Sequence, residues 1–277
     1  MRLRGFLLIY VVICFFSGCA LFSPKSFSPN EKEYPLDLTP LEILRILEER
    51  QGVYTHLWAN GGITLSSPKV KGRKFFQATL LYQAPQKLRL RGYRMITSTL
   101  FEFIINGDNL ALVWNRERKL FRGTRKDLEK YPEATFGMDP LYLPQALLIQ
   151  QEFIRLLRGQ RFDKWREGKD DYVFVTKDGE RRAFLLRKKD LLVREAALYS
   201  RDGRLSLRLK FRRYAFSNGD ILPVELEAFF PKTGLTARVE INEYKHPEAF
   251  QDSVFDLTPP RDFECHPLEE ILESPSQ

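Results

Sequence analysis

The sequence predicts one mostly-β domain with two or three helices packed in its concavity. The prediction rests on two short segments with helical spacing, on long stretches where apolar and polar residues alternate, and on turn signals at short, regular intervals. Hydrophobic residues make up 43% of the chain, which is enough to build a core and excludes a disordered stalk. We expect the domain to cover 39–258, with a C-terminal tail at 259–277.

Two segments carry the helical spacing. Thr39 begins the run Thr-Pro-Leu-Glu, in which Thr is a helix cap, proline takes the first helical position and Glu42 follows three residues after the cap. A helix is therefore predicted over 40–51. The second helix is predicted over 140–158, where apolar residues form a broad stripe that ends at Gly159.

Alternation of apolar and polar residues predicts β-strands from about residue 53. A tight turn centred on Gly107 folds two strands into a hairpin with apolar side chains opposite one another. Turn signals such as Asp202-Gly203 and Thr233-Gly234 separate further strands between 172 and 244, which is typical of an antiparallel meander. The apolar stripes of these strands include Phe76, Ala78, Leu80, Leu88, Leu90, Phe101, Phe103, Ile105, Leu110, Leu112, Trp114, Leu207, Leu209, Leu226 and Val239.

Charged residues on the opposite face predict the register of the later strands. If the turn at 218–219 has two residues, Lys210 faces Glu227 and Arg212 faces Glu225. With an equally tight turn at the other end, Glu227 also faces Arg238. A slip of one residue would bury these charges, so the row indicates which face of the sheet is wet.

The N-terminal residues 1–18 have the three-part layout of a secretion signal. Arg2 and Arg4 supply the positive start, and an uncharged apolar run follows that is too short to span a bilayer in the usual way. The small residues before Cys19 make the stretch resemble the lipobox of bacterial lipoproteins. The resemblance implies that the chain is cut before Cys19 and held to a membrane by lipid on that cysteine. An ordinary signal peptide or membrane anchor with an incidental cysteine is the alternative.

The segment that follows is predicted to be a flexible tether, residues 19–38, because it is rich in Ser and Pro. Ala20 directly after the cysteine implies, by the same lipoprotein resemblance, sorting to the periplasmic face of the outer membrane. Cys265 is then the one thiol left without a role, and an inert, partly buried state is expected for it; a bridge between two chains is the alternative.

Motifs for catalysis, metal binding or cofactor binding are missing from the sequence. The three histidines are far apart, and no HExxH, GxSxG, P-loop, GxGxxG or CxxC occurs. The net charge of +8 comes from residues that alternate along strands, without the basic stripe and stacking aromatics of a nucleic-acid protein. We therefore predict a protein that is not an enzyme, has no catalytic residues, metal or cofactor, and does not bind nucleic acid.

The stretch from Gly61 to Gly123 is similar to the LolA/LolB group of lipoprotein carriers and receptors. It reads Gly-Gly-Ile-Thr-Leu, then FFQATLLYQAPQKLRLRGYRM, then TLFEFIINGDNLALVW. With the helix that precedes it, the stretch has the same order of elements as the family: a leading helix, a strand, a Leu-x-Leu strand and a hairpin. The resemblance implies a half-open antiparallel β-barrel wrapped around two or three helices. It also implies that the helix at 140–158 is a lid and that 172–244 completes the barrel.

The same resemblance implies an apolar cavity for acyl chains, lined by the stripe residues named above from Phe76 to Val239. The function implied is that of a membrane-anchored receptor that accepts lipoproteins from a soluble periplasmic carrier and inserts them in the outer membrane. Three alternatives stay open. The stripe residues pack on the helices as an ordinary core; the protein senses lipid or lipid A; or it is an envelope assembly scaffold with a filled interior.

A protruding apolar loop is the last feature that the resemblance implies. Tyr93, Met95 and Ile96 stand where the receptor branch presents an apolar residue to a membrane. Arg94 among them suits the headgroup layer, with its stem buried and its charge in water. The alternative is that these residues continue the strand and face the interior.

Overall fold

The computed structural model confirms a mostly-β domain built on a single large sheet. It describes residues 37–68, 70–95, 98–130, 140–176, 181–200, 202–217, 220–256, 258 and 261–273. In these residues fourteen strands form one sheet. In chain order they are β1 (His56–Ser67), β2 (Val70–Gln83), β3 (Lys87–Met95), β4 (Ser98–Asn106), β5 (Asn109–Trp114), β6 (Lys119–Thr124), β7 (Phe162–Glu167), β8 (Asp171–Thr176), β9 (Arg181–Arg187), β10 (Val193–Tyr199), β11 (Leu205–Ser217), β12 (Asp220–Phe230), β13 (Leu235–Lys245) and β14 (Glu264–Pro267).

The helices are short and lie between groups of strands. They are α1 (Pro40–Arg50), α2 (Arg125–Lys130), α3 (Tyr142–Leu147), α4 (Ile149–Arg158) and α5 (Glu269–Glu273), with a 3₁₀ turn at Asp252–Phe255. Within the described ranges, no helix is long and apolar enough to cross a membrane.

The sheet is open, which corrects the barrel part of the sequence prediction. Its strand order is β14-β6-β5-β4-β3-β2-β1-β13-β12-β11-β10-β9-β8-β7, so β14 and β7 are its two edges. All neighbours pair antiparallel except β14, which runs parallel to β6. The long pairings β1–β2, β1–β13 and β11–β12 form the centre and bring the N-terminal and C-terminal strands together.

One face of the sheet packs on α1, α3 and α4. The core joins Ile43 and Leu47 of α1, Phe153 and Leu157 of α4, and strand residues such as Leu80, all of them buried. The helices α1 and α4 are each amphipathic, and their apolar sides face the sheet. The apolar side chains of both helices and of the strands therefore form a single core. We call this side the concave face and the opposite side the convex face.

The first helix follows the sequence prediction, whereas the second differs from it. The Thr39 hydroxyl accepts from the Glu42 amide, and the Glu42 carboxylate accepts from the Thr39 amide at 2.8 Å, which is the predicted capping box. The segment predicted as one helix over 140–158 is two helices that meet at Leu148, whose backbone is not helical (φ −102°, ψ 32°).

The register of the later strands follows the predicted charge row, with one correction. Lys210 pairs with Glu227, and Glu227 with Arg238, as predicted. The partner of Glu225 is Arg213, not Arg212, because the register of β11 against β12 shifts just after Phe211. A bulge of this kind inserts one residue in a strand and cannot be seen in an alternating pattern. It frees Arg212 to make an ion pair with Glu227 at 2.8 Å.

The segment beyond 258, predicted as a tail, contributes to the sheet. Within it β14 pairs with β6, and Leu268 is buried in the core. Cys265 lies on this edge strand and is exposed, which corrects the expectation of a partly buried thiol.

Gly61 permits a close approach between β1 and β13. The register of this pair shifts between Asn60 and Gly61, and an added Cβ on Gly61 would lie 2.2 Å from the backbone oxygen of Glu240. We expect Gly61→Ala to lower the free energy of unfolding by about 1–3 kcal/mol, as overpacking does, in urea denaturation. Gly62→Ala is the control, because its Cβ would meet only the exposed ring of Phe75. Equal losses in the two variants would contradict the prediction.

Candidate functional site

The apolar residues predicted to line a cavity lie on the concave face. In the hairpin of β4 and β5, Phe101, Phe103 and Ile105 pair with Trp114, Leu112 and Leu110 respectively. Leu88 and Leu90 pair with Ile105 and Phe103 in one direction, and Leu90 pairs with Leu80 in the other. Pairing through Ile63 connects Phe76 to Val239, and Val239 pairs with Leu226. By alternation, Ala78 shares the face of Leu80, and Leu207 and Leu209 share that of Phe211, the partner of Leu226.

The helices cover only part of this concave apolar face. Leu80, Leu88, Ile105 and Leu110 are buried in the core with α1 and α4, as the core alternative requires for them. Another group is only partly buried: Ile63, Phe76, Leu90, Phe101, Phe103, Leu112 and Trp114. We call this group the outer apolar row. It runs from β1 to β5 across the sheet.

Aromatic side chains give the outer apolar row its shape. The ring of Phe76 meets that of Phe101 edge to face, with centroids 5.6 Å apart. Gly92 lies beneath Phe101, and a Cβ there would be 2.4 Å from the ring. The missing side chain lets the ring of Phe101 approach the backbone of β3 closely. Trp114 at its end keeps 37% of its surface exposed.

A narrow cleft lies on the same face, between α3, α4 and strands β9–β11. Its volume is about 50 Å³, and its walls include Tyr142, Gln145, Ile149, Phe184, Ala196 and Leu209. This space holds a few water-sized groups and is far smaller than ordinary ligand cavities, which begin at roughly 300 Å³. We call it the helix cleft. Its apolar walls are closely packed in this structure.

Charged groups form one part of the wall of the helix cleft. Glu152 of α4 accepts from Arg182 of β9 at 2.9 Å and from Arg155 at 2.8 Å. The Arg182 guanidinium also lies 5.2 Å from the centre of the Tyr142 ring of α3. Arg182 therefore ties both helices to the sheet, and since its side chain is only 22% exposed the tie is partly shielded from solvent.

Two further polar groups belong to this region. Burial raises the pKa of the Tyr82 hydroxyl, and the Glu152 carboxylate raises that pKa further, so Tyr82 stays neutral. The side-chain oxygen of Gln145 is buried and accepts no hydrogen bond from the described residues. An unsatisfied acceptor of this kind is costly, and it gives the helix cleft one polar group that a ligand could bond.

The predicted protruding loop needs correction at Tyr93. Tyr93 is a strand residue of β3, paired with Gln77 and Thr99, and its hydroxyl accepts from Asn60 at 2.6 Å. It lies on the convex face, since Asn60 and Tyr93 alternate with the concave residues. Met95 is the last residue of β3, and Ile96 lies outside the described residues. The prediction for Met95 and Ile96 therefore stays open.

Replacing Met95 and Ile96 together by glutamate tests whether this hairpin end inserts in a membrane. We expect the thermal transition to be kept and binding to liposomes to be lost, because insertion buries apolar side chains worth about 1.5–3 kcal/mol each. Leu41→Glu with Val53→Glu is the matched control, since these residues are 75% and 69% exposed and receive the same charges. A large drop in the melting temperature of the hairpin variant would instead place these residues in the core.

The described ranges hold no group of three or more His, Cys, Asp and Glu side chains that could bind a metal ion. His56 bonds its neighbour Thr55 through Nδ1 at 3.0 Å, and His246 bonds the His56 carbonyl at 3.2 Å while stacking on Tyr54. His266 lies in the edge strand β14, beside Phe121 of β6. These histidines are used in local packing and hydrogen bonds.

The protein is an open, almost entirely antiparallel sheet with helices packed on its concave face. Apolar side chains on the same face, next to the helices, stay partly exposed. Solved structures of the same form include a LolA superfamily protein from Nitrosomonas europaea, with a TM-score of 0.53 and 12% identity over 79% of this chain and 98% of that one. A domain named as an outer membrane lipoprotein-sorting protein from Vibrio parahaemolyticus has a TM-score of 0.50 and 14% identity, over 84% and 98% of the two chains.

A third similar structure is a DUF1329 family protein from Desulfovibrio piger, with a TM-score of 0.52 and 11% identity over 78% of this chain and 95% of that one. No protein-family model matches the sequence, and no curated protein matches it. The three solved structures confirm the resemblance to the LolA/LolB group as a likeness of fold.

Proposed function

We propose that this protein binds acyl chains of lipoproteins or lipids on its concave face, without chemical conversion of the ligand. The observation that carries the proposal is the outer apolar row, where six large side chains from β2 to β5 stay partly exposed next to a fully buried core. These residues are Phe76, Leu90, Phe101, Phe103, Leu112 and Trp114.

The strength expected for such a site follows from burial of methylene groups. Each methylene removed from water contributes about 0.8 kcal/mol, so a chain that buries about ten of them gains about 8 kcal/mol. That gain corresponds to a dissociation constant near the micromolar range, before any loss of chain entropy. Binding of this strength suits a ligand that must be released again.

We further propose that lipid on Cys19 holds the protein at the periplasmic face of the outer membrane, as the lipobox-like sequence implies. The protein would there accept acylated proteins from a soluble carrier and deliver them to the membrane. The likeness of fold to a LolA superfamily protein and to a lipoprotein-sorting domain supports this direction.

The helix cleft supports a role in the same process. An acyl chain longer than the outer apolar row needs space beneath α3 and α4, and both the Glu152–Arg182 ion pair and the packing of Phe153 on Phe184 of β9 oppose movement of α4 away from the sheet. Opening would expose the apolar walls of the cleft and the unsatisfied oxygen of Gln145 to the ligand.

A second candidate function is an assembly scaffold, and the small volume of the helix cleft favours it. With about 50 Å³ of space, the interior is nearly filled, as expected for a domain that binds a protein partner on its outside. A scaffold needs no acyl ligand, so the two candidates predict different contents of the purified protein.

Mass spectrometry of apolar molecules that co-purify with the Cys19→Ala variant tests the proposal. We expect acyl chains to co-purify with this variant. We also expect the variant to pass a bound triacylated peptide to a second lipid-binding protein. Bound lipid without transfer would indicate a sensor of lipid or lipid A, and a protein free of acyl chains would indicate the scaffold.

A further inference from the structure

A polar pocket lies on the convex face, on the opposite side of the sheet from the outer apolar row. Its volume is about 280 Å³, several times that of the helix cleft. We call it the convex pocket. Its walls are Thr79, Leu81, Arg89, Arg91, Tyr93, Thr99 and Val254.

The charges in the convex pocket do not balance. Arg89 and Arg91 share one carboxylate, that of Glu102: the Arg89 Nε is 3.1 Å from Oε2, and the Arg91 Nε is 2.9 Å from Oε1. Arg89 also donates to the carbonyl of Val254 at 2.8 Å. In the part of the chain that the structure describes, the terminal nitrogens of Arg91 donate no hydrogen bond. Two guanidinium groups with one carboxylate leave a positive charge.

The hydroxyl groups in the pocket supply further donors. The Asn60 amide nitrogen donates to the Thr79 hydroxyl at 3.0 Å and to the Tyr93 hydroxyl at 2.6 Å, and these two oxygens are 3.0 Å apart. One hydroxyl proton serves the bond between them, so the other has no acceptor in this trio. The Thr99 hydroxyl makes no hydrogen bond with the described residues. The pocket thus offers donors, while both oxygens of Glu102 are occupied.

We propose that the convex pocket binds a phosphate group, either that of a phospholipid headgroup or free phosphate. A phosphate has several acceptor oxygens and a negative charge, which match the terminal nitrogens of Arg91 and the hydroxyls of Tyr93 or Thr79 and of Thr99. A cation would find no unoccupied carboxylate oxygen there. The site is independent of the acyl-chain proposal, because it lies on the other face of the sheet.

The position of the pocket suits a lipid headgroup. Tyr93 and Thr99 pair near the end of the β3–β4 hairpin, and with a rise of about 3.3 Å per residue Tyr93 lies about 7 Å from Met95. The headgroup layer on each side of a bilayer is about 5–8 Å thick. A hairpin end that touches the hydrocarbon would therefore place this part of the pocket among the phosphates.

Calorimetric titration and vesicle sedimentation test the site in the full chain carrying Cys19→Ala, which removes the predicted anchor. The probes are inorganic phosphate, phosphatidylcholine vesicles, and the same vesicles containing phosphatidylglycerol. We expect Arg91→Gln to weaken phosphate binding about tenfold or more, because a charged hydrogen-bond donor is lost. Thr99→Val should weaken it less and leave Arg91 and Glu102 paired, so a folding defect in one variant does not decide the test.

Arg204→Gln is the matched control, since it removes the same charge from a side chain that is 87% exposed and away from the pocket. Loss of both phosphate and phosphatidylglycerol binding in Arg91→Gln alone supports a headgroup site, and loss of phosphate binding alone supports a site for soluble phosphate. The proposal is overturned if the parent protein binds none of the three probes, if Arg91→Gln and Thr99→Val bind as the parent does, or if Arg204→Gln loses as much as Arg91→Gln.

Discussion

Replacing Phe153 by alanine is expected to lower the free energy of unfolding by about 3–5 kcal/mol. Phe153 of α4 is fully buried, and its ring centre lies 5.5 Å from that of Phe162, 5.1 Å from that of Phe174 and 5.5 Å from that of Phe184. These partners belong to β7, β8 and β9. Because three paired strands cannot close around the missing ring, the substitution leaves a cavity.

Urea denaturation of the purified protein measures this loss. Leu41→Ala is the control on α1, since Leu41 is 75% exposed and its truncation should change stability by less than about 0.5 kcal/mol. A Phe153→Ala variant as stable as the control would show that α4 does not hold the β7–β9 end of the sheet in solution.

Features that depend on a few neighbouring residues were predictable from the sequence. The capping box at Thr39 needs only a hydroxyl and a carboxylate three residues apart, and the turn at Gly107 needs only a residue that adopts φ +65°. The concave stripe followed as well, because strict alternation over β4 and β5 leaves one choice of face. These signals are local, so no knowledge of the rest of the fold was required.

Features that depend on distant partners were not predictable. The strand β7 has a mixed sequence, Phe-Asp-Lys-Trp-Arg-Glu, and becomes a strand because Trp165 packs on Tyr172 and Phe174 of β8. β14 is short and acquires its strand form by pairing with β6, far away in the sequence. In both segments the pairing partner, and not the local pattern, decides the structure.

The polar parts of the candidate sites were missed for a related reason. Glu152 and Arg182 each resemble ordinary solvated charges in the sequence, and only the packing of α4 on β9 brings them to 2.9 Å. Arg89 and Arg91 likewise alternate with Leu88 and Leu90, as residues on the solvent-facing side of a strand do. The sequence pattern correctly placed them opposite the apolar stripe but could not show that they share Glu102.

Replacing Phe76 by glutamate is expected to abolish acyl-chain binding, with a loss of affinity of about 100-fold or more. A chain lying on the outer apolar row would have to desolvate the new carboxylate next to Phe101, which costs several kcal/mol, and about 1.4 kcal/mol corresponds to each tenfold loss. The stability of the variant should fall only moderately, because Phe76 is partly exposed.

The neighbouring residue provides a matched control for this experiment. Phe75→Glu makes the same change one position earlier in β2, on the convex face, where the ring is 58% exposed. Titration of both variants with a fluorescent fatty acid should show near-normal binding for Phe75→Glu and none for Phe76→Glu. Equal affinities would remove the outer apolar row from the binding site, since two adjacent side chains of one strand differ only in the face of the sheet that they occupy.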